Sequence, residues 1–303
     1  MSSYHEPVML KECLSYMQIE PEGTYVDATF GGGGHSQAIL KILNTQGRLI
    51  GLDQDPAAAT NAPKDDRFTL VAGNFRHLKK LLRLQNLQNF DGLLADFGVS
   101  SHQLDEAERG FSLRFDAELD MRMNPDRELT ARAVVNNYSE LFLKEIFRNY
   151  GELRNAGLLA KALVEKRPLS TTGELKDALS FAQPKVPAQR NRFWAQVFQA
   201  IRIEVNDELQ VIEELLAQAT EMLKPGGRMV CLSYHSLEDR IVKNIFRYGN
   251  SAGEPVKDFY GNLERPLRPL TPKPLLAEPQ EVKRNPRARS AKLRAAEKLA
   301  NDA

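Results

Sequence analysis

The chain has 303 residues, with 41 basic against 40 acidic side chains, and 42% of it is hydrophobic. That length can bury a full core, as one large domain with an insertion or as two domains. Balanced charge excludes a uniformly basic nucleic-acid binder but leaves room for local basic patches. Two cysteines far apart in sequence, Cys13 and Cys231, fit a reducing compartment with no disulfide framework.

The first residues, Met1-Ser-Ser-Tyr-His-Glu-Pro7, lack the charged start and apolar core of a signal peptide. No window approaches the roughly eighteen apolar residues of a membrane span. A cytoplasmic protein that does not contact membrane is expected.

From Gly23 to Gly98 strands and helices alternate. Gly23–Phe30 reads as a strand and Ser36–Leu43 as a helix. Arg48–Asp53 and Phe68–Ala72 are the second and third strands, Leu78–Leu87 is an amphipathic helix, and Phe90–Asp96 is the fourth strand. Short apolar runs bounded by turn residues and separated by helices predict a parallel, doubly wound sheet. Ligands of such sheets bind at the carboxyl ends of the strands. Asp27, Asp53, the Gly73-Asn-Phe75 turn and Asp96 all fall there.

Between about Glu106 and Asp207 the strand signals stop. Leu129–Tyr150 carries Val134, Val135, Tyr138, Leu141, Phe142 and Ile146 at helical spacing. Leu158–Val164 and Leu175–Phe181 read as further helical pieces, with Pro168, Pro184 and Pro187 as breaks. This predicts an inserted all-helical domain. The sheet signal then resumes with a helix at Glu208–Leu223, a turn at Lys224–Arg228 and a fifth strand at Met229–Ser233. Ser236-Leu-Glu-Asp239 resembles a capping box for a helix running through Phe246.

Seven of the 16 prolines lie between Pro255 and Pro286, which predicts an extended surface segment. Lys283–Arg294 holds six basic residues and no acid. It is either a solvated tail or a contact for phosphate. The expected domains are thus 1–105 and 208–250 for the α/β part, 106–207 for the helical insertion, and 251–303 for a Pro-rich and then basic segment.

The stretch Asp27-Ala-Thr-Phe-Gly-Gly-Gly-Gly-His35 joins the first strand to the first helix of the alternation. Strand, glycine turn and helix bring backbone N–H groups up against a cofactor, and glycine allows close approach. A dinucleotide fingerprint would carry a third glycine where Ser36 stands. Asp53, 22 residues after Gly31, suits a ribose in either a dinucleotide or an S-adenosylmethionine site. Asp27 before the glycines would meet an ammonium but repel a pyrophosphate, and Asp96 ends the fourth strand. Three carboxylates favour S-adenosylmethionine, which carries a sulfonium and an amine, over a nicotinamide dinucleotide. No Gly-Lys-Ser/Thr follows the glycines, so a P-loop is excluded. His5, His35, His77, His102 and His235 include no pair at ligand spacing, and no metal site is expected.

Several stretches together resemble one family: His5–Met9, Asp27–Ser36, Asp96–Asp105, Glu108–Ser112, Leu119–Met123, Phe198–Arg202 with Val205-Asn206, and Ser233–Val242. The chain resembles the bacterial small-subunit ribosomal RNA (cytosine-N4-)-methyltransferases, the MraW family, over almost its whole length. The resemblance implies a Rossmann-like S-adenosylmethionine methyltransferase sheet. The implied reaction methylates the exocyclic N4 amine of one cytidine in the decoding region of 16S ribosomal RNA, within the small subunit. It also implies cofactor contacts from Gly33, Gly34 and His35, a ribose contact from Asp53, an adenine flanked by Phe75, and a site completed by Asp96 and Gln103. Gly31 and Gly32 would shape the turn. Two positions depart from the family pattern: His102 stands where proline is common, and Tyr234 where phenylalanine is usual.

Methyl transfer to an amine is an in-line displacement in which the protein mostly supplies alignment. Many amino methyltransferases place Asp/Asn-Pro-Pro-Tyr/Phe after the fourth strand. Here that slot reads Asp96-Phe-Gly-Val99, so Asp96 is the expected catalytic acceptor, with Tyr234 and His235 as candidates for holding the base. A structural hydrogen bond at the strand end is the competing role for His235. The cytidine must also leave its stack, at a cost of a few kcal/mol. Arg202, Arg240 and the basic tail are candidate phosphate contacts, and the helical insertion a candidate RNA-reading element. Homodimerisation is left open, as are a nicotinamide oxidoreductase, a non-enzymatic assembly factor, and a methyltransferase of DNA or protein.

Overall fold

The structure, a computed structural model, describes residues 7–257, 259–261 and 263–300, with the backbone alone at 101 and 102. His5 and Glu6 of the first motif, and the start of the chain read for a signal sequence, lie outside the described residues. Two compact units emerge: residues 1–98 with 209–303, and residues 99–208. The expected boundary at 105/106 thus falls at 98/99, and the segment 251–303 belongs to the first unit.

In that unit, helix α1 (Leu10–Met17) precedes β1 (Thr24–Asp27), α2 (Gly34–Leu40), β2 (Arg48–Asp53), β3 (Phe68–Ala72), α3 (Leu78–Leu84) and β4 (Phe90–Asp96). β2, β3 and β4 occupy the spans read from the sequence. β1 and α3 are shorter than expected because the glycine turn and the Gln85-Asn86 turn end them early, Asn86 adopting a left-handed φ of 56°, and α2 starts two residues before Ser36 and ends at Leu40.

The second unit is helical: α4 (Ser101–Asp105), α5 (Ala131–Asn137), α6 (Glu140–Asn149), α7 (Ala156–Glu165), α8 (Thr172–Leu179) and α9 (Pro187–Asn206). Its core is built from Val134, Phe147, Leu159, Leu175, Trp194 and Ile201, among others. The single helical stretch read over Leu129–Tyr150 is two helices. Tyr138 is extended (φ −72°, ψ 146°), and Ser139 caps α6 by accepting a hydrogen bond from the Phe142 N–H. Leu141 and Phe142, at core spacing in the sequence, are consequently 62% and 59% exposed. Pro187 opens a helix rather than breaking one, since the first helical position needs no N–H.

The chain returns through α10 (Glu208–Met222), β5 (Leu223–Ser233) and α11 (Ser236–Tyr248). Along β5 the pairing with β4 jumps from Phe90↔Leu223 to Gly92↔Arg228, so Lys224–Gly227 loop out as the expected turn. The segment expected to lie extended on the surface instead supplies β6 (Leu267–Pro269), β7 (Leu275–Leu276) and α12 (Pro279–Arg284), and the chain beyond it supplies β8 (Lys292–Lys298). The end of the basic run is thus a sheet strand with Leu293, Arg294, Ala295 and Ala296 buried.

The sheet order is β3-β2-β1-β4-β5-β8-β6, with β7 on β8. The first five strands pair in parallel, and β8 is antiparallel to β5, β6 and β7. Alternate residues face opposite layers. Val26, Ile50, Leu52, Leu93, Ala95, Met229 and Cys231 pack with α3, α10 and α11. Tyr25, Leu49, Leu94, Val230 and Leu232 pack with α1 and α2. This is a doubly wound, Rossmann-like sheet, and its order reverses between β1 and β4. Both cysteines are free and buried in these layers. Among the described residues no helix is long and apolar enough to cross a membrane.

Candidate active site

The glycine turn is shaped by two left-handed positions, Gly31 (φ 49°) and Gly33 (φ 73°). At Gly33 a Cβ would also lie 2.9 Å from the Phe30 ring, so no other residue fits without displacement. Gly34 opens α2 with the Pro7 ring 3.1 Å from the position of a Cβ. Gly33 therefore shares the turn-shaping role expected of Gly31 and Gly32.

Neighbouring side chains hold the turn at both sides of the Gly31 peptide. The Gly31 N–H donates to Asp53 Oδ2 at 2.8 Å, and Asn61 Nδ2 donates to the Gly31 carbonyl at 3.1 Å. Asp53 Oδ1 accepts the Asp55 N–H at 2.8 Å. A carboxylate has about four acceptor positions, so two remain for ligand hydroxyls. Asn74, which caps the turn before Phe75, donates to Gln54 Oε1 at 2.8 Å and ties the ends of β2 and β3 together. The Phe75 ring lies 6.2 Å from that of Phe97. Asn74 lies in the Gly73-Asn-Phe75 turn expected at the strand ends, whereas Gln54 and Asn61 carry no sequence signal. Asn61 sits in an alanine-rich 3-10 turn that carries no motif, and only the fold brings it to Gly31.

Asp27, expected to meet an ammonium group, is 1% exposed. Its oxygens accept the Ser36 hydroxyl at 2.7 Å and the Thr29 N–H at 3.2 Å. It braces the turn from beneath. His35 is buried, and its Nε2 lies 3.0 Å from the Val8 carbonyl, to which it donates.

Asp96 ends β4, partly exposed. Its N–H donates to Thr29 Oγ1 at 2.7 Å, and its Oδ1 accepts the Tyr234 hydroxyl at 2.7 Å. The unusual tyrosine noted in the sequence thus bonds directly to the expected acceptor. Exclusion of water pushes Asp53 and Asp96 up to about 6. At Asp53 the N–H groups of Asp55 and Gly31 oppose that rise; at Asp96 the His35 imidazole and the Tyr234 hydroxyl do so. Burial also raises Asp27, against the Ser36 hydroxyl, and lifts the Tyr234 phenol well above its ordinary range. Among the described residues, the basic group acting on Asp27 and Asp96 is the His35 imidazole rather than a lysine or arginine. Three acids crowded at the ends of β1, β2 and β4 without strong cationic partners suit a cationic ligand.

His235 is the N-cap of α11, one residue before the Ser236 expected in that place. Its Nδ1 accepts the Glu238 N–H at 3.4 Å and its Nε2 lies 3.1 Å from Glu238 Oε1. Glu238, wholly buried, accepts the N–H groups of Tyr234 (2.7 Å) and His235 (3.3 Å). The box shifts because a histidine acceptor one residue earlier reaches N3 while Glu238 reaches back over the strand end. The His235 ring is thereby committed to the helix start.

Gly33, Gly34, His35, Asp53, Phe75 and Asp96 all belong to the first unit. Gln103 belongs to the helical unit, where its Oε1 accepts the Ser100 N–H at 3.1 Å and its own N–H donates to the Ser100 hydroxyl at 3.2 Å. Among the candidate phosphate contacts, Arg240, Lys283, Arg284 and Arg289 are exposed. Arg202 is held by Glu208 at 2.8 and 3.0 Å, and Arg294 by Asp239 at 2.6 and 3.2 Å.

Comparison with known proteins finds relatives over nearly the whole chain. A ribosomal RNA small subunit methyltransferase H from Flavobacterium johnsoniae is 52% identical over 299 residues, covering 98% of each chain. The protein of the same name from Bacteroides thetaiotaomicron is 51% identical over 297 residues, again 98% of each. That from Christiangramia forsetii is 50% identical over 302 residues, 99% of each. The family model described as the MraW methylase family matches residues 2–299. With that span and those identities, the chain belongs to the MraW methylase family.

Proposed function

We propose that this protein is an S-adenosylmethionine-dependent methyltransferase of small-subunit ribosomal RNA, acting on the exocyclic N4 amine of a cytidine in the decoding region of 16S RNA. The observation that carries the reading is Asp96, a carboxylate anchored at the end of β4 beside the glycine turn. Family membership supports the methyl-transfer chemistry. The resemblance of the motif stretches supports the choice of nucleoside and RNA region, with the RNA held in the small subunit and the reaction in the cytoplasm.

When bound, the cofactor supplies an electrophilic methyl group on a sulfonium, and the sulfur keeps the electron pair of the broken bond. The residues here bind and orient. Asp53 would offer its free acceptor positions to the ribose hydroxyls, Phe75 would contact the adenine, and the Gly33-Gly34-His35 backbone would hold the methionine moiety. Asp96 accepts a hydrogen from the cytosine amine, which turns the nitrogen lone pair toward the methyl carbon. That hydrogen leaves as a proton, first to the carboxylate and then to water. Phe97, 3% exposed and packed near Phe75, is in no position to stack on a base. The Tyr234 ring is the aromatic surface beside Asp96. Arg240, Lys283, Arg284 and Arg289 contribute phosphate contacts, which need charge and little geometry. Residues 99–208 contribute RNA recognition.

The test uses labelled S-adenosylmethionine with small ribosomal subunits, free ribosomal RNA, DNA and protein, followed by nucleoside analysis. N4-methylcytidine in small-subunit RNA is the expected product, absent with Asp96→Ala. Label in another polymer or another nucleoside overturns the reading.

A further inference from the structure

Asp96 is clamped from two sides. Its backbone N–H is taken by Thr29 Oγ1 at 2.7 Å, and its Oδ1 by the Tyr234 hydroxyl at 2.7 Å. Tyr234 is itself held. Its N–H donates to Glu238 Oε2 at 2.7 Å, and Glu238 is 0% exposed inside the N-terminal box of α11. The other edge of the tyrosine ring lies along Gly98, where a Cβ would come 3.5 Å from Cδ2. Gly98 has a φ of 96°, a conformation that favours glycine. The tyrosine backbone is thus tied to the start of α11, and its phenol is placed on the carboxylate.

We propose that Tyr234 is a positioning residue: by donating to Asp96 Oδ1 it fixes the carboxylate plane and leaves Oδ2 to receive the amino hydrogen of the methyl-accepting base. This rests on the reading of Asp96 as that acceptor. A phenylalanine, usual at this position in the family that the motifs resemble, would fill the same space without the bond. Here the hydroxyl adds orientation and favours the ionised acceptor. The groups that face Asp96 divide by charge. Asp27 on β1 and Glu238 on α11 disfavour a second negative charge, whereas His35 on α2 supports it. Tyr234 at the end of β5 supplies the direct hydrogen bond that offsets the acids.

The test is Tyr234→Phe, with methylation of small-subunit RNA followed against pH. The expected change is in turnover: kcat at neutral pH falls, the KM for S-adenosylmethionine stays within twofold, and the acidic limb of the kcat profile moves up by about one pH unit, tenfold in proton affinity. Incorporation of 3-fluorotyrosine at 234 keeps the ring and the donor but makes the donor more acidic, and should move the limb the opposite way. Thermal unfolding of both proteins checks that the fold is intact. A Tyr234→Phe profile that superimposes on the unsubstituted one overturns the proposal. Asp96→Asn in the same assay separates the two readings. If it is inactive while Tyr234→Phe is unchanged, positioning alone fails; if it is fully active, the role of Asp96 as acceptor fails and Tyr234 has nothing to position.

Discussion

Replacing Asp53 with asparagine probes the cofactor site where the geometry is most explicit. The carboxylate takes two backbone N–H groups, from Gly31 and Asp55, each at 2.8 Å. Asparagine keeps the size but has one acceptor oxygen, so its NH2 group faces one of those donors and the charge is lost. A hydrogen bond to a charged group contributes about 1.5–3 kcal/mol, so losing one ribose contact weakens S-adenosylmethionine binding about 10- to 150-fold. Isothermal titration calorimetry at pH 7.5 measures this directly. The pH dependence supplies a second reading. Asp53 and Asp96 sit at about 6, above the ordinary 3.8. Protonating them as the pH falls through about 6 removes the charges that attract a cationic ligand, so affinity drops and binding there releases protons. The stability sign is opposite. A raised carboxyl contributes stability that is present below 3.8 and lost as the pH rises through about 6. The rise is worth about 3 kcal/mol per group at 1.36 kcal/mol per unit. The ligand-free protein therefore loses stability across that window, and added cofactor restores most thermal stability above it. An Asp53→Asn protein with native fold, unchanged affinity and an unchanged pH profile would refute the assignment.

Ser36→Ala should lower the melting temperature by several degrees. It strips the 2.7 Å donor from Asp27, buried to 1%, and an unsatisfied buried group costs about 1–3 kcal/mol. A scanning calorimetry trace identical to the parent would show that the bond contributes nothing. Arg294→Ala should destabilise the fold by about 3–5 kcal/mol, since it leaves Asp239 without its close partner beside β8. RNA affinity per folded molecule should be unchanged; a stable variant with weakened, less salt-sensitive RNA binding would return Arg294 to the phosphate contacts.

Much of this architecture was decided locally. β2 and β4 are short apolar runs closed by turn residues, and their side chains alternate between two hydrophobic layers, so a packed state of those segments is a buried strand; β3, at the sheet edge, has the same pattern but stays partly exposed. Asp53 and Asp96 were legible as acids at the carboxyl ends of strands, where sheets of this kind bind their ligands. Other features were decided only in three dimensions. Helix α9 buries Phe193, Trp194, Val197, Ala200 and Ile203 around much of its circumference, which leaves no clear polar face for a periodicity to reveal. Strand β8, Lys-Leu-Arg-Ala-Ala-Glu-Lys, carries the charge pattern of a solvated tail. It is a strand because β5 offers it an unpaired edge and Asp239 offers Arg294 a counter-charge. The bond between Tyr234 and Asp96 joins residues 138 apart, and the one between Asn61 and Gly31 joins residues 30 apart. Composition and spacing determine which segments become strands and where their acids fall. Which side chain meets which acid depends on strand order and register, set by packing across the whole sheet.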